Sequence, residues 1–549
     1  MDIFYPVFIF ITFIILCIPG GKYLATVISY EKNPCDRIFD PLDNLIYKIT
    51  GITKEDMNWK EYGKAVLYSN FFAFFITFLV FRFQGLFHGN AAFDSALSFN
   101  SAVSFVTNTN LQNYSGEDAG LATTLIIIFQ MFFSAATGFA AASAFIRGLA
   151  KKDGFGNFFM DITRIITRVL LPLSVIVAVI LVINNVPQSF AGTQIIKTVE
   201  GNFQAVKLGP VASLESIKHL GTNGGGIFSA NSAHPFENPG NFTNILEMLS
   251  MMLLPGSMVV AYGILLKNKK QGAALFITMC FLFIVSTAVL IVAEKSGNSA
   301  VTQVGIPQVM GNMEGKEMRF GPVNSALFSS VTTSFTTGSV NNMHDSLTPA
   351  GGLITMWNMM LNVIFGGKGI GLVTVLVYAM LTVFISGLMV GRTPEFLGKK
   401  LEAKEIKIIC FAILIHPFLI LIPTAFSVIF GNSSVTNPGF HGFSQILYQF
   451  TTSSANNGSG FEGLLDNTVY WNMSTGIVML LGRYLFIILA LWLSDSLRTK
   501  REVPETEFTF RTDNITFSVV LLFIILIIGA LTFLPALALG PISEYLTVR

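Results

Sequence analysis

Four short segments of the 549-residue chain combine hydroxyl, carboxamide and glycine residues. They are Thr107-Asn108-Thr109-Asn110, Thr222-Asn223-Gly224-Gly225, Thr336-Thr337-Gly338-Ser339 and Asn456-Asn457-Gly458-Ser459. Aligned on Thr109, Gly224, Gly338 and Gly458, they recur with a period of roughly 115 residues, the mark of internal repetition. None holds an ionisable side chain, and the chemistry on offer is coordination by oxygen. Rings of backbone carbonyls replace the hydration shell of a potassium ion. Glycine permits the backbone angles that turn successive carbonyls to one side, and asparagine tolerates them better than most residues. Thr109 stands where the other copies have glycine, which predicts a ring of only approximate fourfold symmetry. One such segment is an ordinary turn; four in register, each within a hairpin of apolar runs, point to a cation filter.

Two basic residues fall inside apolar runs. Lys368 lies in Phe365-Gly366-Gly367-Lys368-Gly369-Ile370-Gly371, and Arg483 in Gly482-Arg483-Tyr484. Ionisable groups at membrane depth are costly unless paired or hydrated, and so are functional candidates. Both are expected below the filter, obstructing direct exit to the inner side. Arg483 has the alternative of clamping pore-loop carbonyls, and Lys368 of snorkelling or pairing with a partner. The outer loops carry Glu117, Asp118, Glu215, Glu237, Asp345, Glu462 and Asp466, either an acidic vestibule that concentrates cations or ordinary solvated loop residues. Cys17, Cys35, Cys280 and Cys410 have no paired or metal-like spacing and read as small buried hydrophobes, and the six histidines are scattered among different segments. There is no phosphate-cradling motif, and no catalytic residue or organic cofactor is expected.

These residues need a membrane scaffold to position them. Hydrophobic residues make up 52% of the chain and charged residues 12%, against roughly 25% charged in soluble domains. Ten apolar stretches of spanning length are predicted at 3–19, 65–82, 121–146, 169–185, 244–266, 273–293, 352–390, 408–430, 473–493 and 515–536. The start Met1-Asp2-Ile3 lacks a basic region, so the first stretch reads as a retained helix and not a signal peptide. Most of the 34 basic residues fall in the loops 20–64, 147–168, 267–272, 391–407 and 494–514, which are therefore cytoplasmic. The opposite side holds Arg82, Lys197, Lys207, Lys218, Lys295, Lys316, Arg319 and Arg549. Both termini and all four polar segments are then outside. The 352–390 stretch is too long for one straight crossing, and its glycines should break it.

The predicted fold class is an all-α integral membrane protein of ten transmembrane helices. Four pseudo-symmetric helix–pore loop–helix repeats occupy 65–168, 169–272, 273–407 and 408–514. An extra helix flanks them at each end, in 1–64 and 515–549. Short pore helices are expected at Ser95–Phe99, Ser213–Ile217, Ser325–Phe328 and Phe443–Leu447, their negative C-terminal dipoles aimed at the axis.

The motifs resemble those of the KdpA family, the potassium-binding subunits of Kdp potassium pumps, over essentially the full chain. The matching runs are Thr107–Gln112, Thr222–Gly226 continued by Ser229–Pro239, Ser453–Ser459, and the inner loop Gly391–Lys400. The four-repeat pore is shared with a wider superfamily of potassium transporters, whereas the 222–239 run and the inner loop are specific to Kdp. The resemblance implies K+ as the transported ion, bound from outside and passed through an intramembrane tunnel to a P-type ATPase subunit. It further implies an additional accessory subunit, a small single-helix subunit, and residence in a bacterial or archaeal cell membrane, without nucleic acid. By similarity Gln112 is filter-proximal, Gly366–Gly371 lies below the filter, and Arg483 matches the family's fourth-repeat arginine. Leu111 stands where tryptophan is common, and Lys368 where the residue is often apolar. The competing expectation is a stand-alone potassium channel or cation-coupled symporter of the same superfamily.

Overall fold

The computed structural model describes residues 4–88, 92–150, 154–430, 432–504 and 510–548, so Met1, Asp2, Ile3 and Arg549 lie outside the described residues. Within them, ten helices are long and apolar enough to cross a membrane. The flanking spans are Phe4–Ile28 and Ile515–Leu537. Between them lie Trp59–Arg82 with Leu121–Leu149, Phe158–Ile183 with Asn241–Leu265, Lys269–Lys295 with Ile370–Met389, and Ala403–Phe430 with Val469–Arg498. Each pair encloses a shorter buried helix, Ser95–Val106, Val211–Leu220, Gly321–Ser334 and Phe440–Ala455, and the third encloses Pro349–Leu361 as well. The first four are the expected pore helices, each longer than its sequence kernel. The first is started by Asp94, whose carboxylate accepts from the amides of Ala96 at 2.7 Å and Leu97 at 2.9 Å.

The long third-repeat stretch is broken as its glycines predict. Helix Pro349–Leu361 stops at Asn362, a left-handed residue, and Ile370–Met389 resumes after the irregular segment 362–369. Non-helical backbone at membrane depth survives only when buried in protein or lining a cavity. Val363 to Lys368 meet that condition, for their bulky side chains are all buried.

Several boundaries differ from the sequence expectation. The first span runs on to Ile28 and the ninth to Arg498, while the fourth begins at Phe158 and carries a π-turn at Ile165–Leu170. The inner loop 20–64 contains an amphipathic helix, Asp36–Thr50. Its acidic side is held by Arg168, which donates to Asp36 at 3.0 Å, to Asp40 at 2.5 Å and to Asp43. The outer loop of the second repeat adds an antiparallel hairpin, Thr193–Lys197 with Phe203–Lys207. Cys17 and Cys280 are buried as expected, but Cys35 is only half-buried and Cys410 faces outward. The first span packs along the fifth, where Gly20 and Gly21 lie against Ser257 and Val260. Small residues of this kind let membrane helices approach closely.

Candidate functional site

Each pore helix ends in the same turn. The amides of Thr109, Asn223, Thr337 and Asn457 donate back to the carbonyls of Ser104, Lys218, Thr332 and Thr452, at 2.9, 2.8, 2.9 and 2.9 Å. Each bond spans five residues and closes the helix through a left-handed residue. Those residues are Asn108, Thr222, Thr336 and Asn456, with φ of 60°, 48°, 46° and 52°. Two positions on, Asn110, Gly224, Gly338 and Gly458 again have positive φ, at 55°, 100°, 85° and 103°. The four segments thus share one backbone pattern, two left-handed residues separated by one.

This geometry corrects the alignment read from sequence. Asn110, not Thr109, is the first-repeat counterpart of Gly224, Gly338 and Gly458, and Thr107 belongs to the helix end. The ring is asymmetric, as expected, but through Asn110. Its carboxamide is 1% exposed, and neither polar atom has a hydrogen-bond partner. Asparagine tolerates left-handed angles because its short polar side chain suits them.

The four segments interlock in sequence order. A Cβ on Gly224 would lie 2.5 Å from the Thr337 carbonyl, and Cβ atoms on Gly338 and Gly458 would collide with the carbonyls of Asn457 and Thr109. Asn108 closes the ring, donating to the Thr222 carbonyl at 2.8 Å and accepting from Asn223 at 2.8 Å. Asn456 donates to Thr109 Oγ1 at 3.0 Å, and Asn457 to the Thr332 carbonyl at 2.9 Å. Ser459 donates to Asn457 Oδ1 at 2.6 Å, while Ser339 Oγ sits 2.9 Å from His219 Nε2. Gln112 brackets the outer edge: it donates to the Gly226 carbonyl at 3.2 Å and accepts from the Gly226 amide at 2.8 Å. A Cβ on Gly225 would press on the same Gln112 carboxamide.

Two spaces meet the ring. On one face, a vestibule is lined by Asn110, Gly225, Gly338 and Gly458, with Glu462 and Asp466 on its wall. On the opposite face, a second cavity touches Thr336 and Asn456, is lined also by Lys368 and Arg483, and extends between the spans Ile370–Met389, Ala403–Phe430 and Ile515–Leu537. The irregular segment 362–369 stands between the ring and the inner side. The Gly366 amide donates to the Ser334 carbonyl at 3.1 Å and that of Gly367 to Thr336 Oγ1. A Cβ on Gly367 would lie 2.6 Å from Thr222 Oγ1. Lys368 Nζ donates to the Asn456 carbonyl. Phe365, Lys368 and the glycines Gly366 and Gly369 all have positive φ, so the loop is a tight coil under the ring.

Arg483 donates from Nη2 to the Ser134 carbonyl at 2.9 Å, whereas its Nε has no partner. Ser134 lies in the third span and not in a pore loop, so the clamp takes a form other than the one expected. Gly138, one turn on, leaves room for both cations; its Cβ would meet Arg483 Nη2 at 2.7 Å and Lys368 Cβ at 2.7 Å. Among the described residues no carboxylate pairs with Lys368 or Arg483.

The acidic outer-loop residues divide. Glu462 faces the vestibule, but Glu215 and Glu237 are completely buried, bound to Lys218 at 2.7 and 2.9 Å. Asp345 accepts from Gln445 at 3.0 Å and from His441 at 3.1 Å. His441 also meets Glu544 of the C-terminal segment at 2.8 Å. Neither the vestibule nor the solvated-loop reading anticipates this burial: Lys218 is only three residues from Glu215 but 19 from Glu237, and His441 and Gln445 lie about 100 residues from Asp345.

Comparison with known proteins agrees with the architecture. The model of the family described as "Potassium-transporting ATPase A subunit", KdpA, matches residues 7–546. A potassium-transporting ATPase potassium-binding subunit of Clostridium acetobutylicum is 54% identical, with both chains covered completely. The proteins of the same name from Geobacillus kaustophilus and Caldanaerobacter subterraneus are 54% and 50% identical, over 98% and 97% of each chain. The crystal structure of the potassium transporter TrkH from Vibrio parahaemolyticus superposes with a TM-score of 0.54 at 13% identity. It covers 90% of this chain and 99% of its own, a likeness of fold. With a family model spanning nearly the whole sequence and relatives above half identity from end to end, the chain belongs to the KdpA family of potassium-transporting ATPase A subunits.

Proposed function

We propose that this chain captures K+ from outside in a ring formed by 108–111, 222–225, 336–339 and 456–459. It then delivers the ion sideways, within the membrane, to the P-type ATPase subunit of a potassium uptake pump. The observation that carries this reading is the turn repeated four times between an outer vestibule and a lateral inner cavity. Carbonyl and hydroxyl oxygens supply the coordination; no group of this chain is asked to break a bond. The names of the relatives support potassium binding and assembly with an ATPase.

In the same reading, the loop 362–369 blocks the straight path. The ammonium of Lys368 occupies the Asn456 carbonyl, and Arg483 adds a second positive charge beside it. Lys368 and Arg483 also line the lateral cavity, so their charge stands where the two routes part, and it is the coil 362–369 that closes the straight one. The four repeats at 65–168, 169–272, 273–407 and 408–514 act as one pore unit. The flanking helices complete the lipid-facing surface in the cell membrane, with both termini outside. An accessory subunit and a small single-helix subunit join the ATPase.

The test is reconstitution in proteoliposomes, with rubidium or potassium uptake measured for the chain alone and for the chain co-expressed with its ATPase. Uptake that requires the ATPase and ATP is the expected result. ATP-independent uptake by the chain alone would overturn it in favour of a self-sufficient channel or symporter.

A further inference from the structure

Behind the second and third segments of the ring lies a buried group of five ionisable side chains that the ion path does not use. Glu215, Lys218 and His219 stand on the pore helix Val211–Leu220, Glu237 on the loop after it, and Glu247 on the span Asn241–Leu265. None is more than 1% exposed. Lys218 Nζ is fully engaged, donating to Glu215 at 2.8 Å, Glu237 at 2.9 Å and Asn231 Oδ1 at 2.9 Å. The other oxygen of Glu237 accepts the amides of Ile227 and Phe228, both at 2.8 Å. Glu247 is different: neither of its oxygens has a hydrogen-bond partner.

The orphaned carboxylate points at a nitrogen that cannot satisfy it as a neutral ring. His219 Nδ1 lies 2.8 Å from the Glu215 backbone carbonyl, which only accepts, so the ring proton sits on Nδ1. Nε2 then presents a lone pair, which faces Ser339 Oγ at 2.9 Å and Glu247 Oε2 at 3.4 Å. Lone pair and carboxylate oxygen face each other with nothing positive between them. Three carboxyl groups gather around a single ammonium and one imidazole. Arg319 donates to the backbone carbonyls of Asn238 and Ala233 and reaches Glu317 at 3.5 Å, and makes no ion pair with these three glutamates. An excess of buried negative charge is strongly unfavourable without a counter-ion.

We infer that Glu215, His219 and Glu247 form a site for a divalent transition-metal ion of the zinc class, which braces the third segment of the ring through Ser339. One donor atom from each of the three lies within 4.8 Å of the others. Glu215 and His219 share a helix face at four-residue spacing. Carboxylate oxygen and imidazole nitrogen are ordinary zinc donors. An Nδ1–H held by a backbone carbonyl is the outer-shell contact that orients a metal-binding histidine. Two positive charges also match the excess of two carboxylates over the single ammonium. Ser339 Oγ is placed as a further oxygen donor, or turns to Ser232 Oγ at 3.1 Å once the metal takes Nε2. The site touches the proposed ring through Ser339, and its metal content can be counted whichever route the ion takes.

The test is a metal count on the intact purified complex, prepared without chelator and analysed by mass spectrometry before and after incubation with Zn2+ or Co2+. About one equivalent per chain is expected, with the cobalt form showing visible absorption from an imidazole-coordinated ion. Glu247→Gln keeps the side-chain shape and should lower retention at least tenfold, as should His219→Gln. Less than a tenth of an equivalent in the unaltered protein after loading would overturn the site, leaving a proton to bridge Glu247 and His219. Undiminished metal in Glu247→Gln would overturn it as well. Because the unaltered protein decides the first outcome, a variant that fails to assemble does not blunt the test.

Discussion

Replacing Gly224 by alanine tests whether the interlocked carbonyls are what the ion meets. Gly224 has φ of 100°, and its Cβ would sit 2.5 Å from the Thr337 carbonyl oxygen and 3.1 Å from Gly338 Cα. Ordinary contact begins near 3.4 Å, so the third segment must recede by about 0.9 Å, a large step for close-packed backbone. Holding a non-glycine residue at that φ costs a further 1–3 kcal/mol or so. A combined loss of about 2–4 kcal/mol in ion binding corresponds to roughly 30- to 1,000-fold weaker affinity. The assay is the K+ concentration that half-saturates ATP hydrolysis by the assembled complex, with Rb+ and Na+ as competitors. Gly51→Ala is the control, because Gly51 has φ of 67° but open space where its Cβ would be. It carries the backbone strain without the collision and should leave affinity unchanged. Half-saturation by K+ within threefold of the unaltered complex in Gly224→Ala would refute the coordination scheme, since a displaced carbonyl ring cannot hold the same ion equally well.

The two buried cations give separate expectations. Lys368→Met removes a charge-assisted hydrogen bond from the Asn456 carbonyl, worth about 1.5–3 kcal/mol, so passive rubidium leak without ATP should rise at least tenfold; an unchanged leak would count against the plug. Arg483→Gln keeps a donor near the Ser134 carbonyl but deletes the charge, so K+ selectivity or transport rate should change, and retention of both would remove Arg483 from the pathway. At the outer surface, burial alone would lower the His441 pKa, but hydrogen bonds to Asp345 and Glu544 and their charges raise it from 6.5 to about 10. The stabilisation is therefore complete below pH 6.5 and lost as pH rises through about 10. Hydrogen exchange in 543–548 should be slower than in His441→Gln at low pH, the difference vanishing toward pH 10; a constant difference would contradict the latch.

Much of this architecture was legible because membrane insertion writes strong signals. Long apolar runs and the distribution of Lys and Arg gave ten spans with the polar segments on one side, and Gly366 to Gly371 marked the break in the seventh. Register in the first repeat was not legible by aligning glycines, because Asn110 fills a left-handed position with a different residue. A usable signal was present: Asn108-x-Asn110, Thr222-x-Gly224, Thr336-x-Gly338 and Asn456-x-Gly458 each pair two residues compatible with positive φ. The cluster around Lys218 was invisible for another reason. Glu215 and Glu237 read singly as outer-loop acids and Glu247 drew no reading at all, and only the packing of the pore helix against the fifth span shows that the three share one dry pocket.

The differences among the four copies bear more on direction than their likeness does. A symmetric ring would offer an ion four equivalent lower ends and a straight way inward. Here the coil 362–369 touches Thr222 and Thr336, and Lys368 holds Asn456, so three of the four lower ends meet one loop from the third repeat. The remaining end, Asn108, is tied to Thr222 and Asn223 and lies over the small-residue face of the third span, where Gly138 admits Lys368 and Arg483. A loop engaged by three segments at once cannot leave one without loosening the others, which makes piecemeal opening toward the inner side unfavourable. The cavity beside it already borders Thr336 and Asn456, with Gly367, Lys368 and Arg483 on its wall. On our reading, an ion leaving the ring therefore meets less resistance sideways than downward, and a partner that receives it must present its own site against the spans Ala403–Phe430 and Ile515–Leu537.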